Sequence, residues 1–379
     1  MSKSLDVISQ IRKELREGFV ERDEQVDGAL CAILSKQHLI MIGAPGTAKS
    51  MLTDNLCSRI QGAQYFQWLL TKFSTPEEIF GPVSLKALEN DEYKRITKHK
   101  LPECHIAFLD EIFKANSAIL NSLLRIINER QYHNNGTPLN VPLQSLFGAS
   151  NELPEGEELG AMYDRMTLRY IVNYISEDSG MKKMLKAGAA NTVTSITLDE
   201  LKAAQAEVEA VAVPDELMDT IIKIRGEMKK EGVIASDRRY RVSLTVLKAH
   251  AWLNGRKAVS DDDLPMLQHI LWSQPSEIKT VQRVVLGTAN PLLNKITELL
   301  DQANEIFKNC NDAVQKDATQ ASAQGVESNS KLKKLVESLI ALKATAIQQG
   351  RDPRAIDEAT EKVSNMNKQV LKNCLGLNF

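Results

Sequence analysis

Met41-Ile42-Gly43-Ala44-Pro45-Gly46-Thr47-Ala48-Lys49-Ser50 follows the apolar run His38-Leu39-Ile40 and leads into a helical stripe of Met51, Leu52, Leu56 and Ile60. Strand, glycine turn and helix in that order make a cradle for phosphate. Backbone N–H groups of the turn and of the helix N-terminus face the anion, Lys49 adds a mobile cation, and Ser50 offers a hydroxyl to magnesium. The strict pattern has glycine directly before the lysine, where this chain has Ala48. Alanine favours negative φ, so this reading expects residue 48 in the right-handed helical region.

Further apolar runs extend the pattern outward. Tyr65-Phe66-Gln67-Trp68-Leu69-Leu70 is a second strand, His105-Ile106-Ala107-Phe108-Leu109 a third ending in Asp110-Glu111, and Ser145-Leu146-Phe147-Gly148-Ala149-Ser150 a fourth ending in Asn151. Buried parallel strands have this composition, and ligands bind at their C-terminal edge. Adjacent acids there, Asp110 and Glu111, can divide two tasks, holding magnesium and activating water. The uncharged amide of Asn151 reaches a γ-phosphate and the attacking water without adding negative charge. Arg165, in Met162-Tyr163-Asp164-Arg165-Met166, and Arg238, in Ser236-Asp237-Arg238-Arg239, are the candidates for neutralising transition-state charge. Arg238 opens a helix behind a Ser/Asp cap. Gln131 to Val141, with Asn135-Gly136 at its centre, reads as a hairpin.

The 379 residues exceed the usual single-domain size, and three regions are expected: an N-terminal helix with the strand-rich core over 1–190, an all-α domain over 191–275, and a helical region over 276–379. In the middle region Leu217, Ile221, Ile222 and Met228 form one stripe, and Leu244, Leu247, Ala251 and Leu253 another. The last region has no aromatic residue between Phe307 and Phe379. Its stripes, Leu332 to Ala346 and Ile356 to Val370, suit two long antiparallel helices joined at Gly350-Arg351-Asp352-Pro353. Ala318 to Ser330, rich in serine, glutamine and alanine, reads as a linker or weakly ordered loop. A net charge of -2 gives no bulk attraction to nucleic acid or anionic membrane. No apolar run is long enough to span a membrane. Five cysteines, odd in number and without a C-x-x-C pair, read as reduced cytosolic thiols, which places the chain in the cytoplasm.

The ordered set resembles an AAA+ ATPase of the MoxR family, and its RavA branch most closely. The strings that carry the likeness are Gly43 to Ser50, Lys72-Phe73-Ser74-Thr75-Pro76-Glu77-Glu78-Ile79-Phe80-Gly81-Pro82, Phe108 to Ile112, Asn128-Glu129-Arg130, Ala149 to Pro154, Tyr163 to Met166 and Ser236 to Arg239. They span roughly residues 20–275, and Ala48 is what that family commonly shows. The resemblance implies an α/β fold, an αβα P-loop sandwich with a parallel sheet, followed by an all-α lid; the helical C-terminal hairpin or coiled coil is read from the apolar stripes alone. It implies that Gly43, Ala44, Pro45, Gly46, Thr47, Ala48, Lys49, Ser50 and Met51 hold ATP, and that Ser50 and Asp110 hold Mg2+. Glu111 and Asn151 become the Walker B glutamate and sensor 1, Arg165 an arginine finger for a neighbouring subunit, and Arg238 sensor 2. An insertion within Phe73 to Lys100, a hexameric ring, a client protein and a von Willebrand factor A domain partner follow from the same likeness. The C-terminal region departs from the β-rich module of the RavA branch. Two alternatives stand beside a remodelling ATPase: a nucleic-acid motor, disfavoured because His133 is the one cation of the hairpin, and a nucleotide-dependent scaffold.

Overall fold

The computed structural model describes residues 2–186, 193–314, 318–348 and 353–375. The chain divides into two compact units, Met1–Val281 and Gln282–Phe379.

In the first unit β1 (Leu39–Ile42), β2 (Tyr65–Leu69), β3 (Ile106–Asp110), β4 (Ser145–Ser150) and β5 (Leu168–Ile171) form one sheet in the order 2-3-4-1-5. Every pairing is parallel, so all five C-terminal ends share one edge. Register places Ile42 opposite Ser150 and Leu109 opposite Gly148. β1 and β4 are buried along their whole length, as continuous apolar strands covered on both faces should be. The charged residue in Leu168-Arg169-Tyr170-Ile171 conceals β5 from a hydrophobicity reading, yet Arg169 is fully buried. Its guanidinium donates to the carbonyls of Trp272 (2.6 Å), Tyr163 (2.6 Å) and Met166 (3.1 Å) and lies 3.7 Å from the centre of the Tyr163 ring.

The N-terminal segment forms α1 (Lys3–Gly18) and α2 (Asp23–Leu34). Next come α3 (Lys49–Cys57), α4 (Ser117–Glu129) and α5 (Glu157–Arg165), followed by the helical region α6 (Leu198–Glu209), α7 (Asp215–Lys230) and α8 (Asp237–Leu253). α1 and α2 pack against α6 and α8, and a short parallel bridge pairs Ile60–Gln61 with Ile196–Thr197. In α7 the buried stripe is Leu217, Ile221, Ile224 and Met228, whereas Ile222 is exposed. The expected hairpin is present as Gln131–Asn134 paired with Thr137–Asn140, and positive φ at both Asn135 and Gly136 gives the primed turn that strand twist favours. Asn134 fastens its base to the insertion by exchanging hydrogen bonds with the backbone of Arg95. Between Phe73 and Lys100 the insertion carries only short helices, Pro76–Phe80 and Leu85–Leu88.

The second unit contains α9 (Pro291–Val314), α10 (Ala318–Gln348) and α11 (Arg354–Leu375), each packed on the other two. Ile296, Leu299, Leu332, Leu339, Ile356, Val363 and Val370 lie in its core. Two expectations need correcting here. Ala318 to Ser330 is helical instead of a linker: it is the N-terminal part of α10, continuous with the apolar stripe Leu332 to Ala346 that packs on the other two helices. The expected pair is joined by a third long helix, α9. The turn at Gly350, Arg351 and Asp352 lies outside the described residues. Among the described residues no helix is long and apolar enough to cross a membrane.

Candidate functional site

The loop from Gly43 to Ser50 leaves the C-terminal end of β1 and enters α3. Gly43 donates its N–H to Ser150 O at 3.0 Å, and a Cβ on it would lie 2.1 Å from Val172 O, so only glycine fits. Gly46 is needed for a different reason: its φ is 78° with open space around it. The expectation of negative φ at Ala48 is wrong. Ala48 sits at φ 66°, ψ 23° and is the N-cap of α3, its carbonyl accepting from Leu52 N at 3.0 Å. The chain must reverse before the helix starts, which puts this residue in the left-handed region despite about 1–2 kcal/mol of Cβ strain. Thr47 is buried and its hydroxyl donates to Ala44 O at 2.9 Å. Lys49 Nζ reaches Gly43 O and Ala44 O, each at 2.8 Å, and so lies within the loop. Burial lowers its pKa, and the charges of Asp110 and Glu111 oppose that shift.

Those acids stand at the same edge. Asp110 ends β3 and its Oδ1 accepts the N–H of Glu111 at 3.0 Å. Glu111 is held at φ 52°, a conformation rare outside glycine that concentrates at functional positions. Its buried Oε2 is 3.2 Å from Lys114 Nζ, an ion pair without hydrogen-bond geometry. Asn151 follows Ser150 directly and is exposed. Sheet register thus brings the loop, both acids and the amide to one edge of the sheet.

Beside the loop is a mainly apolar cavity of about 200 Å³, lined by Phe19, Val20, Ala48, Met51, Tyr174 and Met181 among others. The sequence reading named Ala48 and Met51 but missed Phe19, Val20, Tyr174 and Met181. Phe19 and Val20 come from the end of α1 and Tyr174 from the segment after β5, distant in sequence and without a motif. Tyr174 Oη donates to Pro45 O at 3.2 Å, closing the cavity against the loop.

The two arginines lie elsewhere. Arg165, the last residue of α5, and Arg238, in the first turn of α8, line a cleft of about 470 Å³ with Gln37, His38, Thr167 and Arg241. Gln37 and His38 precede β1, and Thr167 precedes β5, so this cleft opens at the N-terminal edge of the sheet. The four residues of β1 separate it from the phosphate loop by about 13 Å of strand. Asp164 organises it by accepting from Ser236 Oγ (2.9 Å), Arg239 Nε (3.0 Å) and Arg238 Nη1 (3.5 Å). Arg165 Nη1 donates to Ala161 O at 2.7 Å, and its pKa is lowered by burial and by the charge of Arg238.

The loop fits a nucleoside triphosphate. Positions 43, 46 and 48 form a turn whose backbone closely approaches anything bound there, and Lys49 and a carboxylate are adjacent. Among the described residues no group of three or more His, Cys, Asp or Glu converges as a metal site. Magnesium on a bound nucleotide needs only one or two protein oxygens, the rest of its shell being phosphate and water.

Comparison with known proteins bears on the whole arrangement. Residues 6–212 match the MoxR domain in the MoxR-vWA-beta-propeller ternary systems, and residues 216–285 match an AAA lid domain. Two uncharacterized proteins of Methanocaldococcus jannaschii are similar throughout: one is 38% identical over 96% of this chain and 98% of its own length, the other 42% identical over 82% and 80%. Chaperone MoxR1 of Mycobacterium tuberculosis is 24% identical over 46% of each chain. A solved structure of a putative ATPase from Cytophaga hutchinsonii shares the fold at TM-score 0.61 and 18% identity, covering 76% of this chain and 95% of that one. With its phosphate loop, 2-3-4-1-5 parallel sheet, helical lid and these matches, the chain belongs to the MoxR family of AAA+ ATPases.

Proposed function

We propose that this protein hydrolyses ATP at the junction between subunits of a hexameric ring in the cytoplasm and uses the turnover to remodel a client protein with a von Willebrand factor A domain partner. The observation that carries the reading is the separation of phosphate loop and arginines on opposite edges of one sheet. Arg165 and Arg238 cannot serve the loop of their own subunit across β1, but a neighbour's loop docked on the N-terminal edge would receive both. The family description, with its ternary systems, supports the partner. Placement in the RavA branch rests on the motif strings and belongs to the proposal, as does the division into core over 1–190, lid over 191–275 and helical region over 276–379.

In this reading Gly43 to Ser50 bind the phosphates, and Met51 together with the Phe19 and Tyr174 cavity takes the adenine. Ser50 and Asp110 would hold Mg2+, which supplies charge neutralisation at the β- and γ-phosphates. Glu111 orients and deprotonates the attacking water, freed from Lys114. Asn151 fixes that water against the γ-phosphate. Arg165 and Arg238 of the adjoining subunit stabilise the charge that spreads over the transferring group. Nothing in the hairpin favours a nucleic-acid motor, since Thr137–Asn140 is exposed and carries no cation.

A mixing experiment tests the division of labour. Arg165→Ala is expected to retain ATP binding and to lower turnover by about 10³-fold. Lys49→Ala is expected to be inactive through its own loop. Mixed, the two variants regain activity, because an intact loop from one meets an intact arginine from the other. Inactivity of the mixture, or full turnover by monomeric Arg165→Ala, would refute the shared site.

A further inference from the structure

Cys310 and Cys374 lie on α9 and α11, 64 positions apart, with their sulfurs 2.7 Å from each other in the core of the second unit. Both are buried free thiols. That separation is inside van der Waals contact, and about 0.7 Å of further approach gives the bond length of a disulfide. The two side chains already point at one another from different helices, the condition most chance cysteine pairs fail.

The surroundings give such a bond a purpose. The core of the bundle consists mainly of aliphatic side chains, several as small as Ala303, Ala346 and Ala359, with the half-buried ring of Phe307 packed against it. A core with several alanines buries less apolar area per residue than one of larger side chains, and a cross-link adds stability by restricting the unfolded chain. α9 and α11 are the first and last long helices, so a link between them encloses α10 entirely.

We propose that Cys310 and Cys374, two of the thiols that the sequence reading takes as reduced, form an intramolecular disulfide that staples the C-terminal bundle when a disulfide oxidant reaches them. The oxidant is a small-molecule disulfide of the oxidised glutathione class. A thiolate of the pair attacks it, one small thiolate leaves, and the second cysteine displaces the other from the mixed disulfide. Two protein S–H bonds and one small-molecule S–S bond are lost, while one protein S–S bond and two small-molecule thiols form. Burial and the neighbouring Cys310 push the Cys374 thiol up to about 12, so in the folded chain the reaction is slow at neutral pH and accelerates in alkali.

The test uses the full chain. Reduced protein is incubated with oxidised glutathione, unfolded, alkylated and mapped by mass spectrometry, with parallel denaturant titrations of oxidised and reduced samples. The expected result is protection of two of the five cysteines, a cross-linked peptide pair containing Cys310 and Cys374, and a bundle unfolding equilibrium shifted about 10³-fold toward the folded state, reversed by dithiothreitol. Cys310→Ala is expected to give no cross-linked peptide pair, with Cys374 recovered either alkylated or as its unresolved mixed disulfide with glutathione. In the unsubstituted chain, alkylation of all five, stable glutathionylation, a link to Cys31, Cys57 or Cys104, or a link without added stability would each overturn the proposal. Comparing one chain in two redox states keeps the test independent of whether any variant folds.

Discussion

Ala48 shows how far a single residue can be read from sequence. The substitution is visible in the pattern, but its conformation is set by the turn around it, which only the folded loop displays. With φ at 66° its Cβ is strained, so Ala48→Gly should raise the unfolding free energy by about 1 kcal/mol, measured by denaturant titration. His38 carries a second effect that no motif announces. Buried between β4 and α4, its Nδ1 accepts from Leu146 N at 3.0 Å, which leaves Nε2–H to face Ile127 O at 3.1 Å and assigns the neutral ring. Burial, reinforced by the charge of Arg130, pushes its pKa down to about 3. Below the unfolded value of about 6.5 the unfolded chain takes up a proton that the folded chain refuses, so stability falls with falling pH through that window. Between about pH 7.5 and about pH 5 the loss should be about 2 kcal/mol from His38, with His269 shifted in the same direction. Urea titrations at the two pH values measure it, and a smaller difference in His38→Gln identifies the source.

At the level of elements, the strands that end in chemistry were legible because each is an unbroken apolar run followed by polar residues. β5 was not, since burial of Arg169 is made tolerable by three carbonyls and an aromatic ring contributed from distant segments. The helix start at Ser236 was readable from its cap, but its attachment was not. Asp164, the penultimate residue of α5, holds the first turn of α8 through Ser236, Arg238 and Arg239, and so fixes Arg165 and Arg238 as one group. Arg239 is nearly fully buried and depends on this carboxylate for its ion pair. Asp164→Ala should therefore destabilise the first unit by about 3 kcal/mol. If enough folded protein remains, ATP binding should persist while turnover drops, separable by nucleotide titration and steady-state hydrolysis. Equal loss of both would mean that the contact serves folding alone.

For the molecule as a whole, the order of motifs along the chain conveyed the αβα core and the helical lid, because each motif sits where a strand or helix begins or ends. Relations across long intervals were hidden: the cavity shared by Phe19 and Tyr174, and the sulfur pair, whose partners the odd cysteine count disguises. The placement of the arginine cleft has a kinetic corollary. An enzyme with a complete site works at a rate per molecule that is indifferent to dilution. On the proposed shared site, a chain with its phosphate loop at one edge and its arginines at the other would hold half a site at each, and its rate per molecule would obey mass action. Turnover would then rise with total protein until rings saturate, and synthesis of the chain itself would become a control on when ATP is spent.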